Sequence, residues 1–121
     1  MDPKTQLKDH GVDKVMRFGQ VIKISPEKID EYACYHANAW PEVNARLKAS
    51  NIGNYSIYYR DGLAFSYFEY SGNDLAGDMA AIAEDPKTQE WWSVVKPLMT
   101  PFENKKPDEF WSDMTEVYHL D

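Results

Sequence analysis

The chain has 121 residues, 43% of them hydrophobic and 14% aromatic, with 13 basic against 20 acidic side chains and a formal charge of −7. That length supports one core but not two, and acidity without any Lys/Arg cluster argues against nucleic acid and anionic membrane surfaces as partners. No apolar run approaches the roughly 18 to 20 residues of a membrane span, and a single cysteine, Cys34, excludes an internal disulfide and fits a reducing compartment, by default the cytoplasm.

Residues 1–14 are polar and lack the apolar stretch of a secretory signal. They read as a solvated extension before a single domain over residues 15–121. Met16 to Ile24 alternates, with Met16, Phe18, Ile22 and Ile24 on one face, and predicts a strand. Gln20 is the only polar residue on that face. Ser25-Pro26 predicts a helix start, with serine as N-cap and proline in the first turn. Along this helix Ile29, Tyr32, Ala33 and His36 share the inward face, so an imidazole sits one turn from a phenol.

Pro41 cannot occupy a helix interior without losing a backbone bond, which predicts a break between about residues 37 and 41 and a second segment to about Ala49. Trp40, Val43 and Leu47 continue the buried stripe. His36 then falls in the last turn of the first segment, where the helix dipole favours its protonated form. Gly53 to Arg60 and Leu63 to Tyr70 predict two strands joined at Asp61-Gly62, a strong hairpin signal. This loop pairs Arg60 with Leu63 and places Tyr55, Ile57 and Tyr59 on one face with Ala64, Ser66 and Phe68.

After Ser71-Gly72-Asn73, Leu75 to Ala83 predicts a short helix. Asp85-Pro86 opens another, which carries Trp91-Trp92 and is limited by Pro97. Met114 to Leu120 predicts the last strand. The order β-α-β-β-α-β, with a split second helix, is that of a ferredoxin-like α+β fold: an antiparallel sheet with its helices on one face. The other face is rich in Phe, Tyr and Val, and sheet-to-sheet homodimerisation would cover it.

Three histidines (His10, His36 and His119) stand without H-x-x-x-H or C-x-x-C spacing, which gives no metal site, and no glycine-rich phosphate loop is present. Cys34 reads as a small packing residue. One histidine among many aromatics and amides remains. Trp91 and Trp92 point about 100° apart on a helix, so only one can be directed fully at the core and the other is free to line a pocket. Aromatic walls with a few polar groups suit a monosaccharide.

Together, Glu31-Tyr32-x-x-x-His36-x-x-x-Trp40-Pro41-Glu42, Gly53-Asn54-Tyr55-Ser56-Ile57-Tyr58, Trp91-Trp92 with Met99, and Glu116-Val117-Tyr118-x-Leu120 resemble the L-rhamnose mutarotase family. The resemblance runs from about Met16 to the last residues. It implies a dimeric α+β protein of the α/β-barrel type that interconverts the anomers of L-rhamnose without cofactor or metal. It places the catalytic histidine at His36 and substrate contacts at Tyr32, Tyr55, Trp91 and Trp92. Two other classes share the architecture: small cofactor-independent or haem-handling monooxygenases, and non-catalytic sugar-binding proteins. In the first, His36 or His119 would serve as base or iron ligand; in the second, the aromatic pocket would bind without catalysing.

Overall fold

Residue alternation in the two central strands decides how the domain is layered. In the computed structural model, which describes residues 15–121, β3 (Leu63–Tyr70) buries Ala64, Ser66, Phe68 and Tyr70 and leaves Leu63, Phe65, Tyr67 and Glu69 half-buried. β1 (Met16–Lys23) pairs with it antiparallel along its whole length, Met16 opposite Tyr70 and Lys23 opposite Leu63. β2 (Ile52–Arg60) flanks β3, and the short β4 (Ser112–Met114) flanks β1. The sheet order is β2-β3-β1-β4, the ferredoxin-like α+β arrangement.

Two helices, α1 (Ile29–Ala37) and α2 (Pro41–Ala49), lie between β1 and β2; α3 (Leu75–Glu84) and α4 (Pro86–Val95) follow β3. Together they bury two apolar clusters against the sheet. The first holds Ile22, Ile24, Tyr32, Ala64 and Trp91; the second holds Ile52, Phe68, Tyr70 and Ile82. Trp92 packs against both.

Local chemistry explains the boundaries. Arg60 pairs with Leu63 as the hairpin signal predicts, and Asp61 and Gly62 both have positive φ (50° and 86°), the requirement of a type I′ turn. The Tyr59 hydroxyl ties this turn to β1, donating to the Ile24 carbonyl (2.9 Å) and accepting from the Gly62 N–H (3.0 Å). Pro41 opens α2 at its first position, and Trp40 before it is extended (ψ 128°), as a residue preceding proline must be. Asp74 and Asp85 cap α3 and α4, each accepting from a backbone N–H three residues on, at 3.0 and 2.8 Å. Pro97 ends α4 in a 3-10 turn at Lys96–Leu98.

β2 holds a feature that alternation alone does not show. Gly53 faces Glu69 and Ser56 faces Tyr67, so Asn54 and Tyr55 together oppose Phe68 in a β-bulge. Asn54 adopts the left-handed conformation (φ 47°) and donates from its side chain to Glu69 Oε2 at 2.8 Å. Asparagine tolerates that backbone better than most residues.

Several expectations are corrected. α1 starts at Ile29, not at Ser25-Pro26: the Ser25 carbonyl accepts from the Lys28 N–H (2.9 Å) in a separate turn, and Lys28 gives no side-chain cap. Ala33 is exposed: of that stripe Tyr32 is buried, and Ile29 packs partly buried against the core. Cys34 is exposed rather than packed. The last strand is Ser112–Met114, not Met114–Leu120. Beyond it the chain is held alongside β1 by a side-chain pair instead of a ladder, the Arg17 guanidinium gripping both Glu116 carboxylate oxygens at 2.9 and 3.1 Å. The polar extension expected at residues 1–14 lies outside the described residues.

Candidate active site

His36 sits in the last turn of α1 because the helix stops at Ala37, ahead of the Pro41 break. Its Nδ1 lies 2.8 Å from the Tyr32 carbonyl oxygen. A carbonyl can only accept, so Nδ1 carries the proton in the neutral ring and Nε2 keeps its lone pair. The Tyr32 ring stacks on the imidazole (centroids 4.2 Å, interplanar angle 30°), and Trp91 meets it edge-on (5.2 Å, 73°). Tyr35 and Trp40 brace Trp91 in turn, at 6.2 and 5.3 Å. The imidazole is therefore set in an aromatic corner, with its tautomer dictated by the backbone.

The dipole expectation for His36 is corrected. Burial lowers its pKa below the ordinary value, and the bond to the Tyr32 carbonyl opposes this only in part. Desolvation of the cation by the surrounding rings outweighs the last-turn field. The sign follows directly. An exchange reaction that uses neutral His36 as base is expected to be flat above about pH 6.5 and to fall through an acid limb whose midpoint lies below that value. Fold stability is expected to drop over the same window, since the unfolded chain there binds a proton that the folded one does not. Rate profiles with the spontaneous exchange subtracted, and an NMR titration of the His36 ring, check both.

Tyr32 is 5% exposed. Burial raises its pKa far above the usual phenol range, and the Tyr55 hydroxyl nearby adds to the shift. Tyr55 projects from the bulge onto Phe68 (centroids 5.4 Å) and is 43% exposed; an ordinary phenol pKa of about 10 already keeps it protonated at neutral pH. Both phenols therefore stay protonated, and able to donate, at neutral pH.

The two tryptophans divide as their 100° separation requires. Trp91 is 7% exposed and belongs to the core; Trp92 is half-buried. The Lys96 ammonium lies over the Trp92 ring at 4.3 Å and over Phe110 at 4.9 Å. One face of Trp92 is thus already engaged in a cation–π contact, and the ring also packs against both apolar clusters, with part of it exposed.

The structure brings His36, Tyr32 and Trp91 into direct ring contact and sets Tyr55 within electrostatic reach of Tyr32. Trp92 flanks them. Sequence reasoning missed Asp113, which accepts from the Gln20 side chain at 2.8 Å. The signal was Gln20 itself, a lone amide on an apolar face. A surface groove of about 440 Å³, lined by Glu31, Cys34, Tyr35, Asn38 and Trp40, runs along a neighbouring side of α1 and includes neither His36 nor Tyr32. Among the described residues no group of three or more His, Cys, Asp or Glu side chains is placed to hold a metal, and no helix is long and apolar enough to cross a membrane.

Known proteins resemble this chain in sequence and in fold. A family model described as L-rhamnose mutarotase matches residues 17–120. Proteins named L-rhamnose mutarotase from Ligilactobacillus salivarius and Lactiplantibacillus plantarum are 37% and 35% identical over 111 and 109 residues. Each alignment covers 88% of this chain, and 98% and 100% of the relative. The crystal structure of an L-rhamnose mutarotase from Formosa agariphila superposes with a TM-score of 0.68 at 20% identity, covering 88% of this chain and 99% of that one. The tetracenomycin F2 cyclase of Streptomyces glaucescens superposes at 0.65 with 12% identity and the same coverage, a likeness of fold alone. With nearly the whole described domain matched in sequence, the chain belongs to the L-rhamnose mutarotase family.

Proposed function

We propose that the protein is an aldose mutarotase that interconverts the α and β anomers of L-rhamnose by cofactor-free general acid–base catalysis. The observation that supports this most directly is the His36 corner, which presents a neutral imidazole with Nε2 as its free lone pair. Mutarotation asks for little more. One group takes the proton of the anomeric hydroxyl while another delivers a proton to the ring oxygen, and the ring C–O bond opens to the aldehyde. Rotation about the C1–C2 bond and the reverse transfers close the ring on its other face.

In this reading His36 Nε2 is the base for opening and the acid for closure. Tyr32, held protonated by burial, or Tyr55, an ordinary phenol protonated at neutral pH, donates to the ring oxygen. Trp91 walls the pocket, and the exposed part of Trp92 meets the sugar's C–H surface. Saturation-transfer NMR of anomer exchange tests the reading. L-rhamnose should exchange well above its spontaneous rate and faster than other aldoses; no acceleration for any aldose would end it. A monooxygenase or a purely binding role gains no support from the family match.

The working unit in this reading is a cytoplasmic homodimer. On the sheet face turned away from the helices, Tyr58, Phe65 and Val21 stand in one cross-strand row, and Tyr58 is 68% exposed. Val117 and Leu120, beyond β4, are 92% and 77% exposed. A second copy would cover both patches. Phe65→Glu is expected to shift sedimentation from dimer to monomer, since a carboxylate buried in an apolar interface lacks a partner; an unchanged dimer would place the interface elsewhere.

A further inference from the structure

A polar stripe crosses the helix-facing side of the sheet between the two apolar clusters. Gln20 of β1 is directly opposite Ser66 of β3 and Asp113 of β4. On one side of this row Ile22 and Ala64 belong to the cluster that holds Tyr32 and Trp91. On the other, Phe68 belongs to the second cluster, and Phe18 and Tyr55 pack against its ring at 4.9 and 5.4 Å. The stripe therefore lies between the tyrosine on the helix and the tyrosine on the bulge. Trp92, the ring that packs against both clusters, belongs to the helical layer above the sheet.

Within the stripe, one group has its bonding unmet. Ser66 is 4% exposed, and its hydroxyl has no hydrogen-bond partner among the described residues. A buried polar group left so is costly and calls for an explanation. Its neighbour Gln20 donates to Asp113 Oδ1, and Asp113 is exposed, so the stripe runs from the interior to the sheet's β4 edge. Neighbouring strands are about 4.8 Å apart, which makes the stripe roughly 10 Å long. A core that needed only packing would place apolar side chains here, as it does in the rows on either side.

We propose that Ser66, Gln20 and Asp113 read the ring hydroxyls of the bound aldose and determine which sugar the site accepts. The proposal rests on the mutarotase reading for the identity of the ligand, but not for the chemistry of recognition. Ser66 supplies a donor and acceptor at the inner end. Gln20, with one N–H engaged, keeps its second N–H and its amide oxygen. Asp113 supplies a carboxylate that accepts only. A pyranose edge with neighbouring hydroxyls satisfies all three, and a sugar that lacks the hydroxyl facing Ser66 leaves a buried group unpaired, which is the strongest basis for rejecting it.

The test compares parent, Ser66→Ala, Gln20→Leu and Asp113→Asn proteins with L-rhamnose and its single-deoxy analogues. Calorimetry reads affinity, saturation-transfer NMR reads exchange, and thermal melting reads the free fold. Ser66→Ala removes one oxygen and is expected to raise the melting temperature while weakening L-rhamnose binding about tenfold. It should leave affinity unchanged for the one analogue that lacks the matching hydroxyl. Gln20→Leu and Asp113→Asn should flatten discrimination at other hydroxyls. Folded variants that keep the parent's affinity ratios across every analogue would overturn the proposal while leaving the mutarotase reading intact. A parent that binds aldoses through this stripe without exchanging their anomers would do the reverse, and a parent that binds no aldose would end both.

Discussion

His36→Ala is expected to slow enzymatic anomer exchange of L-rhamnose by about 10²- to 10⁴-fold, the usual contribution of a positioned acid–base group. The loss should appear in kcat more than in KM, because the imidazole acts on the proton in flight rather than on the resting sugar. His36→Gln keeps a hydrogen-bonding side chain in the same corner but cannot shuttle a proton, so it should be about as slow. The fold should survive, since His36 is only half-buried and its neighbours Tyr32 and Trp91 keep their own contacts. Saturation-transfer NMR gives the rate and circular dichroism the fold. A folded His36→Ala protein that exchanged anomers at the parent rate would assign the base to another residue.

Trp91→Ala is expected to be the costliest single truncation in this region, at about 3–5 kcal/mol. The ring is 7% exposed and is met by His36, Tyr35 and Trp40 at centroid distances of 5.2 to 6.2 Å. Removing it leaves a cavity bounded by three rings that cannot all collapse inward. Against a typical domain stability of about 5–15 kcal/mol, that is a large fraction. Urea unfolding should show a lower midpoint with an unchanged slope. Exchange should fall too, since the imidazole loses its edge contact. Trp92→Ala should cost less stability, because Trp92 is half-buried. A Trp91→Ala midpoint close to the parent's would show that the corner is not braced by this ring.

Much of this was readable from local pattern. Strand alternation places β1 and β3 on the correct faces, and Asp61-Gly62 sets the hairpin register because only a two-residue type I′ turn suits its backbone. Pro41 and Pro86 mark helix starts for a reason internal to their own rings. What stayed hidden depends on partners distant in sequence. The ladder of β4 starts at Ser112 because β1 offers bonding groups opposite Ser112–Met114, and the next stretch is held by Arg17 and Glu116 side chains. No pattern within Met114–Leu120 carries that information. The protonation preference of His36 was read from its helix alone, while the rings that desolvate it come from elsewhere in the fold, Trp91 among them. Likewise, Gln20 looked like an isolated polar residue until the register set Ser66 and Asp113 beside it.

The bulge at Asn54-Tyr55 acts as a phase slip in a two-beat pattern. Ile52 faces the helices, and so do Ile57 and Tyr59, although an even and an odd position cannot both do so in an unbroken strand. The extra residue lets one strand switch parity, contributing Ile52 to one apolar cluster and Ile57 and Tyr59 to the other, with Tyr55 set on Phe68 between them. Segment length there is consequently as constrained as side-chain identity. A chain shortened by one residue between Gly53 and Ser56 could retain every aromatic and still turn either Ile52 or Tyr55 to the wrong side. When relatives are aligned or the pocket is grafted onto another scaffold, a gap at this point matters more than most substitutions.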